Sequence, residues 1–147
     1  MKVSSKGEYA LRALLLLGQN GSSVLSIGEV AEKTRVPLHY LEHILLQLKK
    51  HGYVQSKRGV QGGYALRLTP GQIRIGEVIR NLEGPLAPMS CASVTAYEPC
   101  RLEAGCLLKP LWVLVRDTVA RVLDQTTLAD LLEGKFRAGN GGGEGRV

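Results

Sequence analysis

The seven residues 57–63 constrain the fold of this chain more than any other segment. They read Lys-Arg-Gly-Val-Gln-Gly-Gly and lie between residues 53–56 and 64–68, in which apolar and polar side chains alternate. Alternation with a period of two predicts strands, and glycines let the intervening backbone turn with positive φ. The sequence therefore predicts a β-hairpin with a cationic tip.

Three helical segments are predicted before this hairpin. Residues 5–19 carry apolar side chains at intervals of three and four, which is typical of an amphipathic helix. Ser26 and Glu29 have the spacing of a capping box, which opens a short second helix. Pro37 opens a third helix that runs to about His51, because proline at a helix start loses no hydrogen bond.

Two short helices, a third helix after a tight turn and a hairpin together make a winged helix-turn-helix. A further short helix is predicted over residues 76–82, and Gly84 and Pro85 end it. We therefore expect a mainly α fold with a small β-hairpin, in which residues 1–84 form a winged helix-turn-helix DNA-binding domain.

The distribution of charge agrees with this interpretation. Residues 1–68 carry ten Lys or Arg and four Asp or Glu, a net charge of +6, whereas residues 69–147 carry nine of each kind. Lys and Arg displace condensed counterions from nucleic-acid phosphates, so this excess indicates a polyanionic partner. The excess charge alone is equally consistent with a role in solubility. The neighbouring motifs therefore decide between a polyanionic partner and solubility.

The third helix carries the candidates for reading DNA bases. On a helical wheel its core face holds Leu41, Ile44, Leu45 and Leu48, and polar side chains lie opposite. The amino-terminal part of such a helix meets base edges, where glutamate can accept from cytosine and histidine can donate to guanine or phosphate. The candidates are Leu38, His39, Glu42 and His43. An ordinary polar surface is the alternative interpretation.

The hairpin tip supplies two further candidates, Lys57 and Arg58. At the tip of a wing they would contact phosphate or a minor groove, and the glycines that follow let the backbone approach DNA closely. The segment is not a nucleotide-binding loop, because it precedes a strand instead of a helix and lacks the Gly-Lys-Ser/Thr ending.

A long helix is predicted from Pro110 to about Asp124. One face of it carries apolar side chains at intervals of three and four, namely Leu108, Leu111, Trp112, Val115, Val119 and Val122. Its own domain or a second copy of the chain could cover this face, and we favour the second copy. Residues 107–135 are therefore expected to form a dimerisation helix and a short terminal helix, followed by a glycine-rich, flexible tail over residues 136–147.

The three cysteines, Cys91, Cys100 and Cys106, fall within 16 residues. They lie in a segment without periodicity, which we interpret as a sensor loop over residues 85–106. An odd number of clustered cysteines argues against a disulfide framework and for metal or redox chemistry. Zinc is the weaker alternative because the paired C-x-x-C form of structural zinc sites is missing.

Two broad classes of protein are disfavoured. No uninterrupted apolar run is longer than the five residues 13–17, which is far too short to cross a membrane, and the amino terminus shows no signal-peptide pattern. We therefore expect a cytoplasmic protein with no membrane partner. The histidines His39, His43 and His51 fall on or near one helix without a serine or carboxylate pair at catalytic spacing, so we expect no enzyme.

Several segments in the same order resemble the Rrf-two family of winged-helix transcriptional regulators. They are residues 1–10, Tyr40-Leu41-Glu42, residues 48–54, the turn Arg58-Gly59-Val60-Gln61-Gly62-Gly63-Tyr64, and residues 75–79 and 83–86. The resemblance spans about residues 1–135. It implies a homodimeric regulator, expected to be a repressor, that binds a palindromic operator in double-stranded DNA. On the same basis Ser5, Lys6 and Tyr40 join the candidates for DNA contact.

The resemblance also implies a cofactor. In cluster-binding members of the family, three cysteines in the loop before the long helix hold an iron–sulfur cluster, and Cys91, Cys100 and Cys106 occupy that place. The gap of five residues between the last two matches the family. The gap of eight between the first two is longer than the family pattern and leaves a 2Fe–2S and a 4Fe–4S cluster both open.

The fourth ligand is expected from the other subunit. Some members carry a histidine three residues after the last cysteine, but here that position is Lys109, which cannot ligate while protonated. Others use an acidic residue in the first helix of the partner, and Glu8 occupies that position. The alternative is that Glu8 is a solvated carboxylate favoured by the helix dipole. A shared ligand would set the spacing of the recognition helices, so cluster loss to nitric oxide, oxidants or iron shortage would change operator binding.

Other functions of the cysteines remain open at this point. The same fold could act as a thiol-based redox or metal switch, for example by disulfide formation. It could also sense metabolism by binding a partner protein, although family members of that kind lack the cysteine trio.

Overall fold

The computed structural model describes residues 2–136 of the chain. Within that range the chain forms six α-helices and one two-stranded antiparallel sheet. Their bounds are α1 (Ser5–Gln19), α2 (Ile27–Thr34), α3 (Leu38–Lys50), β1 (Val54–Lys57), β2 (Gly63–Leu66), α4 (Ile75–Glu83), α5 (Lys109–Gln125) and α6 (Leu128–Glu133). The mainly α architecture with one small hairpin confirms the predicted fold class.

Local capping signals explain where two of the helices begin. The Ser26 hydroxyl accepts from the Glu29 amide at 3.2 Å, and the Glu29 carboxylate accepts from the Ser26 amide at 2.8 Å, which is the predicted capping box. Thr127 and Asp130 make the same box before α6. Pro37 was predicted to be the first residue of the third helix, and this is wrong by one residue. Its backbone is extended, with a ψ of 135°, so Pro37 is the N-cap residue and α3 begins at Leu38.

The core lies around α1, which packs against α2, α3, α4 and α6. Each of these helices is amphipathic, so each buries one apolar stripe and leaves its polar side to solvent. The fully buried members of α1 and α3 are Ala10, Ala13, Leu14, Leu17, Leu41, Ile44, Leu45 and Leu48. The last four are the predicted core face of the third helix, which the structure confirms.

The hairpin is held against the helices by one additional backbone pairing. Strands β1 and β2 pair with Val54 opposite Leu66, and Leu25 exchanges two backbone hydrogen bonds with Tyr64 at 2.9 and 2.8 Å. Gly63 makes this approach possible, because it has a φ of +155° and a Cβ there would lie 2.0 Å from the Leu25 carbonyl oxygen. The wing is therefore fixed in direction relative to α3.

The far end of α5 is anchored to α4. The Arg80 guanidinium donates to both carboxylate oxygens of Asp124, at 2.6 and 2.9 Å, and Arg74 donates to the Asp124 carbonyl at 2.8 Å. Gly76 permits the approach, since a Cβ there would lie 2.0 Å from the Asp124 carboxylate. The long helix is thereby tied to the DNA-binding domain at its carboxyl end.

The apolar side chains of α5 form two groups that differ in exposure. None of its residues is buried. Trp112, Val115 and Val119 are half-buried, whereas Leu111 and Leu114 are 49% and 61% exposed. The single face expected from the sequence is thus partly covered by the chain itself and partly open, and Leu114 adds to the open part.

Two statements complete the description of the fold. None of the helices among residues 2–136 is long and apolar enough to span a bilayer. The predicted flexible tail, except for Phe136, lies outside the described residues, and the domain boundaries proposed at residues 84, 106 and 135 stay predictions.

Candidate nucleic-acid interface and metal centre

The exposed side of α3 carries every residue predicted to read bases. Leu38, His39, Glu42 and His43 are all exposed, because the opposite stripe of the helix is buried against α1. Leu46 is 59% exposed and lies one turn beyond Glu42 and His43, so it extends the same face. The structure therefore brings the predicted base-reading residues together on one surface.

Aromatic contacts fix the first turn of α3 against α1. The Tyr40 ring meets the Tyr9 ring edge to face, with centroids 6.1 Å apart, and lies 5.4 Å from the His39 ring. The Arg12 guanidinium lies 5.8 Å from the centroid of Tyr9. Tyr40 is still half exposed, so it can contact DNA while α1 holds its orientation.

The wing presents its cations to solvent. Lys57 ends β1 opposite Gly63, and Arg58 begins the turn, where Gly59 has a φ of +113°. Both cationic side chains are exposed, and neither is hydrogen-bonded or ion-paired to another described residue. Their charges are therefore available to an external anion such as a phosphate.

The two candidates at the start of α1 differ in their surroundings. Ser5 is exposed, whereas Lys6 is half-buried and donates from Nζ to the Leu82 carbonyl at 3.1 Å. Lys6 thus lies against the end of α4. Its predicted DNA contact stays a prediction that would require this hydrogen bond to be exchanged for one to phosphate.

A carboxylate from α4 caps the same helix end. Glu83 Oε1 accepts from the Ser4 amide at 2.8 Å and from the Gly7 amide at 3.1 Å, and it also contacts the Ser4 hydroxyl. A Cβ on Gly7 would lie 2.2 Å from this oxygen. Glu83 therefore satisfies amides left free at the helix start and joins α1 to the point where the sensor loop begins.

The three cysteines have free thiols. Cys91 and Cys106 are half-buried, and Cys100 is exposed. Among residues 2–136, no three side chains of the types His, Cys, Asp and Glu lie close enough together to hold a metal ion. One chain as described does not bring the three predicted ligands together, and their joint role stays a prediction.

Polar contacts order the part of the loop between Tyr97 and Lys109. The Glu103 carboxylate accepts from the Tyr97 hydroxyl at 2.7 Å, from the Cys100 amide at 3.3 Å and from the Lys109 ammonium. The ammonium also lies 5.5 Å from the centroid of the Tyr97 ring. We call Tyr97, Glu103 and Lys109 the loop lock.

The loop lock shifts the protonation equilibria of its members. The Lys109 ammonium, and next the Tyr97 hydroxyl, hold the pKa of Glu103 below its ordinary value. Glu103 in turn raises the pKa of Lys109. Lys109 is therefore held in the protonated form, which has no lone pair for a metal and agrees with the expectation that it is not a ligand.

A second anchor fixes the loop near the first cysteine. The Arg116 guanidinium of α5 donates to the Ala92 carbonyl at 2.7 Å, and Asp117 accepts from the same guanidinium at 2.8 Å. Ala92 ends the short 3₁₀ turn Ser90–Ala92, which contains Cys91. The position of Cys91 relative to α5 is thus set by a contact that involves no thiol.

Glu8, the predicted fourth ligand, is ion-paired within its own helix. Its carboxylate contacts the Arg12 guanidinium one turn later, and its side chain is 53% exposed. Arg12 also donates to the Thr34 carbonyl, at 3.4 Å. Glu8 is accessible to a second subunit, and ligation by it would exchange the contact with Arg12.

Three residues with clear roles were not found from the sequence. Glu83, Glu103 and Arg116 act through contacts with residues 76, 6 and 24 positions away along the chain. Glu103 had a weak local signal, because it lies midway between Cys100 and Cys106. Glu83 and Arg116 had none, since ordinary charged residues on amphipathic helices give no sign of a distant partner.

An exposed recognition face on α3 beside a cationic wing defines a winged helix-turn-helix protein of the DNA-binding class. A family model named Rrf2, described as an iron-dependent transcriptional regulator, matches residues 3–134. HTH-type transcriptional regulators with similar sequences include CymR of Bacillus subtilis, 39% identical over 89% of each chain, and NsrR of Geobacillus kaustophilus, 37% identical over 90% of each chain.

Solved structures agree with the match in sequence. The structure of CymR, the global cysteine regulator of B. subtilis, has a TM-score of 0.78 at 36% identity and covers 92% of this chain and 98% of its own. That of T. potens IscR has a TM-score of 0.73 at 35% identity and covers 91% and 88%. This chain belongs to the Rrf2 family of transcriptional regulators, whose members are not enzymes.

Proposed function

We propose that this chain is a homodimeric transcriptional repressor that binds a palindromic operator and senses nitric oxide, redox conditions or iron–sulfur status through its cysteine loop. The observation that carries the DNA-binding part is that His39, Glu42 and His43 on α3 and the unpaired Lys57 and Arg58 on the wing are all exposed. Side chains of the first kind can read base edges, and those of the second can bind phosphates.

The open side of α5 supports the homodimer. Leu111, Leu114 and Val122 leave large apolar surfaces exposed on a helix that has no buried residue. Exposed apolar surface of this extent favours association, and a second copy of the same helix offers a matching surface. Two recognition helices related by a two-fold axis would then match a palindromic site.

The chemistry of the candidate ligands fits an iron–sulfur cluster. Cys91, Cys100 and Cys106 are free, and all are at least partly accessible, while the loop lock keeps Lys109 protonated and out of the ligand set. When bound, such a cluster supplies a redox-active and labile iron centre held by thiolates. The three cysteines and the partner subunit's Glu8 would hold it, after the contact of Glu8 with Arg12 is exchanged.

The residues of the chain can link such a site to DNA. Glu8 and Tyr9 are neighbours in α1, and Tyr9 contacts Tyr40 at the start of α3. Since Arg12 contacts both the Glu8 carboxylate and the Tyr9 ring, a change in the pairing of Glu8 would reach the recognition helix through Arg12 and the contact of Tyr9 with Tyr40. The loop start is coupled to the same helix end because Glu83 binds the Ser4 and Gly7 amides.

DNA reading is tested by selecting operator sequences and measuring affinity by fluorescence anisotropy. Glu42→Gln is expected to lower discrimination at one cytosine by about 1–3 kcal/mol, since an amide can donate as well as accept and therefore also pairs with other bases. Glu77→Gln, an exposed carboxylate on α4, serves as the control. Unchanged base preference in both variants would remove Glu42 from the reading set.

The metal centre is tested on anaerobically prepared protein by iron and sulfide content and by absorption at about 300–500 nm. Each of the Cys→Ser variants at 91, 100 and 106 is expected to lose iron, whereas Ser90→Ala, on the same loop, is expected to retain it. Glu8→Ala is expected to bind iron more weakly than Glu77→Ala. A cluster unchanged by Glu8→Ala would exclude Glu8, and one unchanged by all cysteine variants would exclude the site.

A thiol-based regulator without a cluster, which acts by disulfide formation or by binding a partner protein, is the second candidate. It is supported by the loop lock, which orders the loop without any metal ligand, and by the likeness to CymR. Non-reducing peptide mapping after mild oxidation tests the disulfide form. A bond between two of the three cysteines, together with a changed operator affinity and no bound iron, would favour this candidate over the first.

A further inference from the structure

The turn between α2 and α3 contains an unusual backbone conformation. Arg35 has φ 59° and ψ 30°, and it is the one non-glycine residue with positive φ among residues 2–136. This left-handed region is disfavoured for any residue with a Cβ, and a helix that ends this way usually does so on glycine or asparagine. The residue types that this turn favours therefore do not explain why position 35 is an arginine.

The residues around Arg35 impose this conformation. Thr34 is buried, and its hydroxyl donates to the Val30 carbonyl at 2.6 Å, while Arg12 donates to the Thr34 carbonyl. On the other side Val36 is only 3% exposed and precedes the cap of α3. Since both neighbours are fixed in the core, the backbone at position 35 follows from the fold, and glycine would meet the same demand without strain.

The Arg35 side chain itself makes no contact that would explain it. It is exposed, and it is neither hydrogen-bonded nor ion-paired to another residue of the described range. It lines an open concavity of about 770 Å³ together with Lys33 and Glu32, which leaves the concavity with a net positive charge. An unpaired guanidinium with an exposed ammonium near it, beside an open space, is suited to an anion.

This concavity adjoins the base-reading surface. Its lining runs from the end of α2 to Pro37, directly before Leu38 at the start of α3, and Arg35 is four residues before His39. When the first turns of α3 lie in a major groove, an element joined to that end of the helix faces the phosphates that border the groove. The anion within reach is therefore a phosphodiester.

We propose that Arg35, assisted by Lys33, binds a backbone phosphate of DNA at the edge of the major groove and fixes the depth and register of α3. The guanidinium fork can engage two phosphate oxygens, which holds the helix in one orientation. Glu32 opposes the contact by charge repulsion. The inference depends on DNA binding by the family fold and is independent of what the cysteines bind.

The test compares substitutions at position 35 for stability and for binding to non-specific DNA. The probe is a labelled duplex of random sequence, about three helical turns long, titrated by fluorescence anisotropy at about 50–200 mM salt. Arg35→Gly and Arg35→Asn fit the left-handed backbone without the charge, and Arg35→Lys keeps the charge. Lys135→Gly removes the same charge from an exposed site after α6 and serves as the matched control.

We expect Arg35→Gly and Arg35→Asn to raise the Kd about tenfold and to lower the slope of log K against log salt by about 2 per dimer. Their Tm is expected to stay the same or to rise by about 2–4 °C, because the strain is relieved. Arg35→Lys should keep the salt slope, Lys135→Gly should match the original protein, and Glu32→Gln should lower the Kd.

Two results would overturn the proposal. A salt slope for Arg35→Gly equal to that of Lys135→Gly would show that Arg35 contacts no phosphate, as would be found if it bound an acidic protein instead. A lower Tm in the glycine, asparagine and lysine variants alike would show that the arginine has a structural role. Opposite changes in stability and affinity are the outcome that a purely structural residue would not produce.

Discussion

The DNA-binding domain and the region from the sensor loop through α5 are stabilised in different ways. In residues 2–84 the predicted core leucines are fully buried, and the polar faces point outward. In residues 85–125 the long helix has no buried residue, and charged side chains such as Glu103 and Arg116 hold the loop. Burial specifies the first region, whereas polar contacts hold much of the loop in the other.

This difference bears on the proposed sensing function. Buried apolar contacts are insensitive to ligands, so the recognition helix and the wing keep their shape. A loop held by a few exposed polar contacts can exchange them for metal ligation or for a partner at little cost. Substitutions in each region can test this contrast.

A matched pair of substitutions on α3 measures the contribution of burial. Leu41 is 0% exposed and Leu46 is 59% exposed on the same helix. Leu41→Ala is expected to lower the free energy of unfolding by about 2–5 kcal/mol through loss of burial and a cavity, and Leu46→Ala by less than about 0.5 kcal/mol. Urea denaturation checks both. Similar losses in the two variants would contradict the assigned core.

Substitutions on the open side of α5 should change the oligomeric state of the protein rather than its folding. Replacing Leu111 and Leu114 together by Asp places two charges where a second copy would pack, so we expect dissociation into monomers. Sedimentation velocity over a concentration series measures this. Ser22→Asp, an exposed position between α1 and α2, should leave the oligomeric state unchanged. A double variant that sediments like the original chain would mean that this side is not the interface.

The contact between α1 and α4 at Gly7 and Glu83, next to the start of the loop, gives a smaller effect. Gly7→Ala places a Cβ 2.2 Å from the Glu83 carboxylate, and the displacement is expected to cost about 1–3 kcal/mol. Glu83→Ala removes the cap and is expected to cost about 1 kcal/mol. Because both changes act on one contact, the double variant should lose less than the sum of the two. Strict additivity in thermal unfolding would argue against the contact.

The smallest effect concerns the pH response of the loop lock. The folded-state pKa of Glu103 is lowered from 4.5, chiefly by Lys109, so the contribution of the pair to loop order is present above pH 4.5 and is lost as pH falls through the lowered pKa. NMR titration of the Glu103 carboxyl carbon should show a midpoint below 4.5. Lys109→Ala should move it toward 4.5, and no movement would mean that the pair does not form in solution.

Much of the fold could be predicted from local signals. Ser26 with Glu29 marks the start of the second helix, and the structure confirms this capping box. Thr127 with Asp130 forms a box of the same kind before α6. The face of α3 followed from a period of 3.6 alone. The shift at Pro37 shows the limit of such signals, because proline is compatible with the first helical position and with the cap before it.

The candidate site was only partly accessible to sequence reasoning. Residues on one helix face or in one turn, such as His39 and Lys57, could be grouped by spacing. Contacts such as Glu83 with Gly7 depend on how helices pack, and the left-handed backbone at Arg35 depends on two buried neighbours. Neither the contact nor the backbone conformation leaves a local pattern in the sequence. An arginine at a turn, for example, is ordinary.

The order of the helices, the hairpin with its cationic tip, the face of α3 and the three clustered thiols can all be read from the sequence. These features arise from periodicity, capping and turn chemistry, which act over a few residues. The strained backbone of Arg35, the cap that Glu83 provides for α1 and the pairing of Glu103 with Lys109 are visible only in the folded chain. Such contacts join residues distant in the chain or constrain a backbone from both sides, so they exist only once the helices have packed.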